Sequence, residues 1–197
     1  TEVRFTPDPE VFNNGEIGFS YERICEDIKN ISYLYSGITF EVSGKNADGE
    51  TDKVTYCAKN GINDFVKDNI PKALHPTIMT ASAETETDSV EIAFQWGTGK
   101  EKSYVFVNGL LCPEGGTPIT GAKGAITKTV NNLANASFDG DKIREGLFYV
   151  INCKVANPSF ANQTKSKINN PSLRTLTSNA FTSALKEMAA SHSNEFN

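Results

Sequence analysis

The chain has 197 residues and a mass of 21.4 kDa, 38% hydrophobic and 22% charged, with a formal net charge of −5. That length can bury the core of one medium domain, and the composition argues against intrinsic disorder. No apolar run approaches the roughly 20 residues of a membrane span and no signal-peptide pattern opens the chain, so the expectation is a cytoplasmic protein with no membrane partner.

Thr1 is not an initiator methionine, and Thr1-Glu2-Val3-Arg4-Phe5 reads as a strand, so a piece of a longer protein is expected. Pro7-Asp8-Pro9 and Asn13-Asn14-Gly15 break it, as a linker would. From Ser20 the pattern is helical, with Tyr21, Ile24, Cys25, Ile28 and Ile31 on one face, Leu34 following and Gly37 as the stop. Ile38, Phe40 and Val42 alternate as a strand, Asn46-Ala47-Asp48-Gly49 turns, and Val54 and Tyr56 return. Gly61 to Asn69 is a short amphipathic helix ended by Pro71. Thr77 to Ser82 is extended, and Glu84-Thr85-Glu86-Thr87-Asp88 is a solvated acidic connector.

Val90, Ile92, Phe94 and Trp96 alternate strictly, Gly97-Thr98-Gly99 turns, and Tyr104-Val105-Phe106-Val107 comes back, which predicts a hairpin. An irregular stretch runs from Asn108 to Thr120, and a helix follows with Ala122, Ile126, Val130 and Leu133 along one side. Asp139-Gly140-Asp141 opens a helical turn. Leu147 to Val155 is almost continuously apolar, as a central strand is. Asn157 to Asn169 is a polar loop, and Asn170 is expected to cap a last helix that Pro171 begins. With strands grouped rather than strictly alternating with helices, the class is α+β.

Four cysteines stand far apart, no C-x-x-C pair occurs, and the only histidines are His75 and His192, which excludes a close-paired zinc site and predicts reduced thiols. Neither histidine has a Ser or Cys elbow near it, so no triad is expected. The glycines at 115, 116 and 121 lack phosphate-loop and dinucleotide spacing. Charge is uneven: residues 1–120 hold 10 Lys and Arg against 19 Asp and Glu, residues 121–197 hold 9 against 5. A basic surface on an acidic chain is compatible with nucleic-acid binding.

Two stretches carry more. Glu114-Gly115-Gly116-Thr117 leads into a helix with Lys123 and Lys128; a lysine read into its first turn opposes the dipole unless an anion is bound there. Gln163-Thr164-Lys165-Ser166-Lys167 is a basic loop whose lysine can reach an outside phosphate, a solvated loop being the default alternative.

Together these stretches resemble the transducer domain of the type IIA DNA topoisomerases, the second domain of their ATPase region. The resemblance rests on Gln163-Thr164-Lys165 after Asn157-Pro158-Ser159-Phe160, on Phe106-Val107-Asn108-Gly109, and on Glu114-Gly115-Gly116-Thr117 with Gly121-Ala122-Lys123. Arg144-Glu145-Gly146-Leu147, Ser32-Tyr33-Leu34-Tyr35-Ser36-Gly37, His75-Pro76 and Val90-Glu91-Ile92-Ala93-Phe94-Gln95-Trp96 fit the same pattern, in order, over roughly residues 3 to 190. The chain departs from the family at Pro118, usually histidine, and at Lys123, often arginine in gyrase B-like members. Its tyrosine-rich first helix looks closer to the large subunit of T4-like phage topoisomerases, which would place it in the cytoplasm of a bacterial host.

The resemblance implies a two-layer α+β sandwich of a mixed sheet with helices, a left-handed βαβ crossover and a long C-terminal helix. It implies residues 1–15 as the tail of a GHKL ATPase domain and linker, 16–170 as transducer, and 171–197 as a helix leading toward the cleavage core. It implies Lys165 as catalytic contact to the γ-phosphate of ATP, Gln163 as its helper in nucleotide binding, and Lys123 as a DNA contact, with no metal ligand. ATP and magnesium would serve the full-length enzyme, and the isolated fragment would be inactive and bind neither. Double-stranded DNA, the ATPase and cleavage domains, other topoisomerase subunits and a second copy in a homodimer are the implied partners. A stand-alone nucleic-acid-binding module, or the transducer of a related ATPase such as a mismatch-repair protein, is the alternative.

Overall fold

Leu147–Val155 is apolar toward both sides, and the fold is arranged around it. The computed structural model describes residues 1–11 and 18–191. The Asn13-Asn14-Gly15 break and His192 lie outside the described residues. In chain order the elements are α1 (Tyr21–Leu34), β1 (Phe40–Lys45), β2 (Thr51–Tyr56), α2 (Ile62–Asn69), β3 (Met79–Glu84), β4 (Asp88–Trp96) and β5 (Lys102–Val107). They continue with β6 (Leu110–Leu111), β7 (Gly115–Gly116), α3 (Thr117–Ala134), α4 (Gly140–Ile143), β8 (Leu147–Val155), β9 (Lys167–Ile168) and α5 (Pro171–Ser191).

Five strands form a mixed sheet in the order β3-β4-β8-β5-β6. β8 pairs antiparallel with β4, from Asp88 opposite Val155 to Trp96 opposite Leu147, and parallel with β5, from Lys102 opposite Phe148 to Val107 opposite Cys153. The predicted hairpin of β4 with β5 is therefore corrected: β8 lies between them. A strand buried on both faces needs two neighbours to satisfy its backbone groups. The turn residues are engaged elsewhere, Gly97 N–H donating to Gly146 O and Thr98 N–H to Lys72 O, each at 2.9 Å.

Leu147, Tyr149, Ile151 and Cys153 of β8 face α3 and α5, with Ile92, Phe94 and Val105 beside them. Phe148 and Val150 face the other way, onto Tyr33 and Leu34 of α1 and Phe65 and Val66 of α2. The α+β sheet-and-helix sandwich and long last helix are as expected, and a second, smaller helical layer is added where two layers were predicted. α5 is a core element: its Phe181 ring lies 5.1 Å from Phe94 and 5.7 Å from Tyr149. α3 and α5 approach closely because residue 121 is glycine; a Cβ there would lie 2.3 Å from the Arg174 carbonyl oxygen.

Other expectations are corrected in detail. Thr1–Phe5 is not a strand, having no partner strand among the described residues; Phe5 instead meets Phe19 edge-on at 5.8 Å. Ile24 of α1 is exposed while Tyr21, Cys25, Tyr33 and Leu34 are buried, because the helix turns these residues, and not Ile24, toward α2, the β1–β2 hairpin and the sheet. The acidic connector is a tight turn closing β3 on β4, with Thr85 N–H donating to Asp88 O at 2.8 Å. Finally, α3 starts at Thr117, earlier than predicted, with Pro118 in its first turn and Leu133 exposed at its far end.

Candidate functional site

The polar segment after β8 is a closed loop rather than a free one. Phe160 and Ile168 form a bridge, Ala161 N–H donates to Lys167 O at 2.9 Å, and Asn169 N–H donates to Ser159 O at 2.8 Å. Ile168 is fully buried in the larger core and anchors the loop. Asn170 closes its base: Ser159 N–H donates to Asn170 Oδ1 at 2.7 Å, and Asn170 Nδ2 donates to Asn157 O at 2.9 Å. This corrects the predicted helix cap, since the Asn170 side chain bonds backward into the loop.

Gln163, Thr164 and Lys165 occupy the exposed tip. Asn162 shapes it, accepting from Ser166 N–H at 3.1 Å and donating through Nδ2 to Ser166 Oγ at 2.8 Å. Lys165 takes a left-handed backbone, φ 57, with its N–H donating to Asn162 O at 3.1 Å. Its ammonium lies over the Phe160 ring, 5.7 Å from the centroid, a cation–π contact that leaves the charge exposed to solvent.

The two sequence stretches that stood apart are one site. Glu114 N–H donates to Ser166 O at 2.9 Å, and Ser166 Oγ donates to Glu114 Oε1. Gly115 and Gly116 then pair in parallel with Lys167 and Ile168, and Thr117 Oγ1 donates to Asn170 O at 2.7 Å. Every residue of Glu114-Gly115-Gly116-Thr117 thus holds the lysine loop. The start of α3 and the start of α5 are bound to the same loop.

Lys123 lies in the second turn of α3, not the first, because the helix begins at Thr117. The expected anion at the helix start therefore loses its support. Lys123 Nζ is 3.3 Å from Glu101 Oε2, and its side chain is 44% exposed. Glu101 is a hub: the same oxygen accepts from Arg144 Nε at 3.2 Å, and Oε1 accepts from the Tyr149 hydroxyl at 2.9 Å. Arg144 is only 6% exposed and also donates to Thr127 Oγ1 at 2.8 Å and Asp141 Oδ1 at 2.6 Å, so its charge is buried but well partnered. Burial, with the Glu101 charge adding to it, pushes the Tyr149 hydroxyl well above its ordinary value, so it stays a donor. Lys123 and Glu114 line one small pocket of about 200 Å³.

Lys123 and Lys128 are not brought together, as expected for a separation of about 140° around the axis. Lys128 lines a groove of about 650 Å³ between α3 and α5, with Arg174 and Lys186. His75 is structural: its Nε2 accepts from Trp96 N–H at 3.3 Å, and its carbonyl accepts from Gln95 Nε2 at 2.5 Å. Sequence reading missed Glu101, Arg174 and Asn162 as site residues. Glu101 follows a glycine turn with no periodic signal, and its partners lie more than 20 positions away.

The ammonium of Lys165 and amide of Gln163 are donors suited to phosphate oxygens. Magnesium takes oxygen ligands, and among the described residues no group of three or more His, Cys, Asp or Glu side chains gathers as an ion cage. The loop tip thus presents donors to the oxygens of an anion.

The sequence matches the family described as DNA gyrase B over residues 61–197. It is similar to the DNA gyrase B-subunit of Synechocystis sp., 32% identical over 202 residues, covering 95% of this chain and 18% of that protein. It is also similar to the type 2 topoisomerase B-subunit of Aquifex aeolicus, 33% identical over 186 residues, covering 88% and 23%. In fold it resembles the 43K ATPase domain of Thermus thermophilus gyrase B, with a TM-score of 0.80 at 22% identity, covering 98% of this chain and 54% of that one. The B-subunit of DNA gyrase from Myxococcus xanthus gives the same TM-score of 0.80 at 18% identity, covering 95% and 54%. The chain thus spans less than a quarter of the two sequence relatives and about half of the two solved chains.

Proposed function

The chain belongs to the DNA gyrase B family, and on that premise we propose that it is the transducer of an ATP-dependent type II DNA topoisomerase. It relays the state of a bound nucleotide to the elements that capture and pass a DNA duplex. The observation that carries this reading is the bonding of one lysine-tipped loop to the starts of both α3 and α5 through Glu114 and Thr117. A displacement of Lys165 is delivered to two long helices packed on the sheet, which is how a local charge contact becomes a domain rotation.

In this reading residues 1–15 are the end of the ATPase domain and linker, 16–170 the transducer, and 171–197 the lead toward the cleavage core. ATP and magnesium are held by the ATPase domain of the whole protein, a homodimer working with other topoisomerase subunits in the cytoplasm. ATP supplies a γ-phosphoryl group on which negative charge develops during transfer. Lys165 is the catalytic contact there and Gln163 donates its amide beside it. Lys123 meets the phosphates of double-stranded DNA, exchanging its Glu101 partner for them. The tyrosines of α1, Pro118 and Lys123 support a finer kinship with the large subunit of T4-like phage topoisomerases.

The test is Lys165→Ala in the whole protein. A positioned cation at a transferring phosphoryl group contributes roughly 10²-fold or more in rate, so turnover should fall by that much with the fold unchanged. Gln163→Ala should be milder, because a neutral hydrogen bond is lost rather than a charge. Turnover near wild type in Lys165→Ala would overturn the reading.

A further inference from the structure

Lys165 is one of three non-glycine residues with positive φ among those described, and left-handed lysine persists only where its neighbours hold it. Two holders are present. Asn162 binds the tip from within, bonding the Lys165 and Ser166 amides. Glu114 binds it from outside, through a different element. Ser166, the residue next to Lys165, is gripped by Glu114 at both ends: the backbone N–H takes its carbonyl at 2.9 Å and the carboxylate takes its hydroxyl. Ser166 is half-buried, whereas Gln163, Thr164 and Lys165 are exposed, so the Glu114 contact is the boundary between fixed and free parts of the loop.

We propose that Glu114 is a positioning residue for Lys165: its carboxylate, through Ser166, holds the loop tip in the one backbone conformation from which the lysine meets a phosphate. The inference rests on the reading of Lys165 as the phosphate contact. The carboxylate suits the task because a charged acceptor makes a stronger hydrogen bond to a hydroxyl than a neutral one does. The backbone bonds of β7 with β9 keep the base of the loop docked when the side chain is removed, so a loss is confined to the tip.

The experiment uses the whole protein with Glu114→Ala, Glu114→Gln, Ser166→Ala and the Glu114→Ala/Ser166→Ala double variant. ATP turnover is measured together with amide hydrogen exchange across residues 160–168. Glu114→Ala should lower kcat about tenfold, the effect of losing one charge-assisted hydrogen bond, with KM for ATP changed less than about twofold. Exchange of the Lys165 and Ser166 amides should quicken. Ser166→Ala should match it, and the double variant should be no worse than either single. Glu114→Gln keeps an acceptor oxygen and should restore most of the turnover. Wild-type kcat in Glu114→Ala, or a loss of kcat with the tip's exchange unchanged, overturns the proposal. If Lys165→Ala keeps wild-type turnover while Glu114→Ala frees the tip, the phosphate role of Lys165 falls and Glu114 stands as the holder of the loop alone.

Discussion

Gly116 and Ile168 lie so close that a Cβ at position 116 would sit 1.9 Å from the Ile168 carbonyl oxygen. Gly116 also has φ 113, which side-chain-bearing residues rarely adopt. The contact seats the base of the lysine loop on the start of α3. Its far side is Ile168, wholly buried in the larger core, so stability and loop placement are one quantity here.

Gly116→Ala should therefore force β7 and β9 apart and cost about 2–4 kcal/mol of unfolding free energy. Urea denaturation of the isolated chain reads this directly. Gly124→Ala is the control: a Cβ there meets nothing within 4 Å in the interior of α3, so it should stabilise by up to about 1 kcal/mol. Equal stability in the two variants would contradict the close approach.

Lys123→Ala should leave the fold intact, since a half-exposed ion pair is worth about 0–1 kcal/mol and Arg144 still neutralises Glu101. In the whole protein it should slow strand passage and reduce the salt-dependence slope of DNA binding by about 1, as for one lost phosphate contact. Alanine is the cleaner probe than glutamate, which would set two carboxylates side by side at Glu101. Strand passage unchanged at moderate salt would remove Lys123 from the DNA surface.

The isolated chain should give no measurable heat with micromolar ATP, because one loop lysine and one amide do not make an adenine pocket. Calorimetry decides this, and stoichiometric binding would place a nucleotide site within these residues.

Thiol chemistry should separate Cys57 from Cys112 and Cys153. Burial pushes the Cys153 thiol up to about 12 and raises Cys112 as well, while Cys57 is exposed. Iodoacetamide at neutral pH should modify Cys57 and spare Cys112 and Cys153 until the chain unfolds, as intact-mass spectrometry would show. The same shifts set the sign of an alkaline effect. A folded-state value raised above the unfolded one means the native chain holds more protons, so stability is intact below about pH 8.5 and falls as pH rises from there toward 12. Denaturation midpoints that are flat from about pH 8 to 11 would contradict it.

The last helix and the central strand are legible in the sequence for a local reason. Leu147–Val155 alternates between two apolar faces, and Leu173, Leu176, Ala180, Ala184 and Met188 recur at helical spacing, so short-range periodicity is enough. The family motifs at Glu114–Thr117 and Gln163–Lys165 are legible as separate stretches. That they are one site is not, because the bond between Glu114 and Ser166 joins positions 52 apart and depends on where Ile168 is buried. The position of Lys123 is hidden for a related reason: two glycines and a proline look like loop, and the helix start at Thr117 depends on Gly116 packing against Ile168.

Local periodicity by itself determined the longer elements, β4, β8 and α5 above all, and the apolar faces that these elements bury. Tertiary structure alone decided the neighbours of β8, although the β1–β2 hairpin follows from its local turn. β4 and β5 carry the pattern of a hairpin, yet β8 separates them. Backbone N–H and C=O groups are the same in every residue but proline, so nothing in a strand's sequence names its partner. The choice falls to burial of both faces of β8, which only the assembled layers can satisfy.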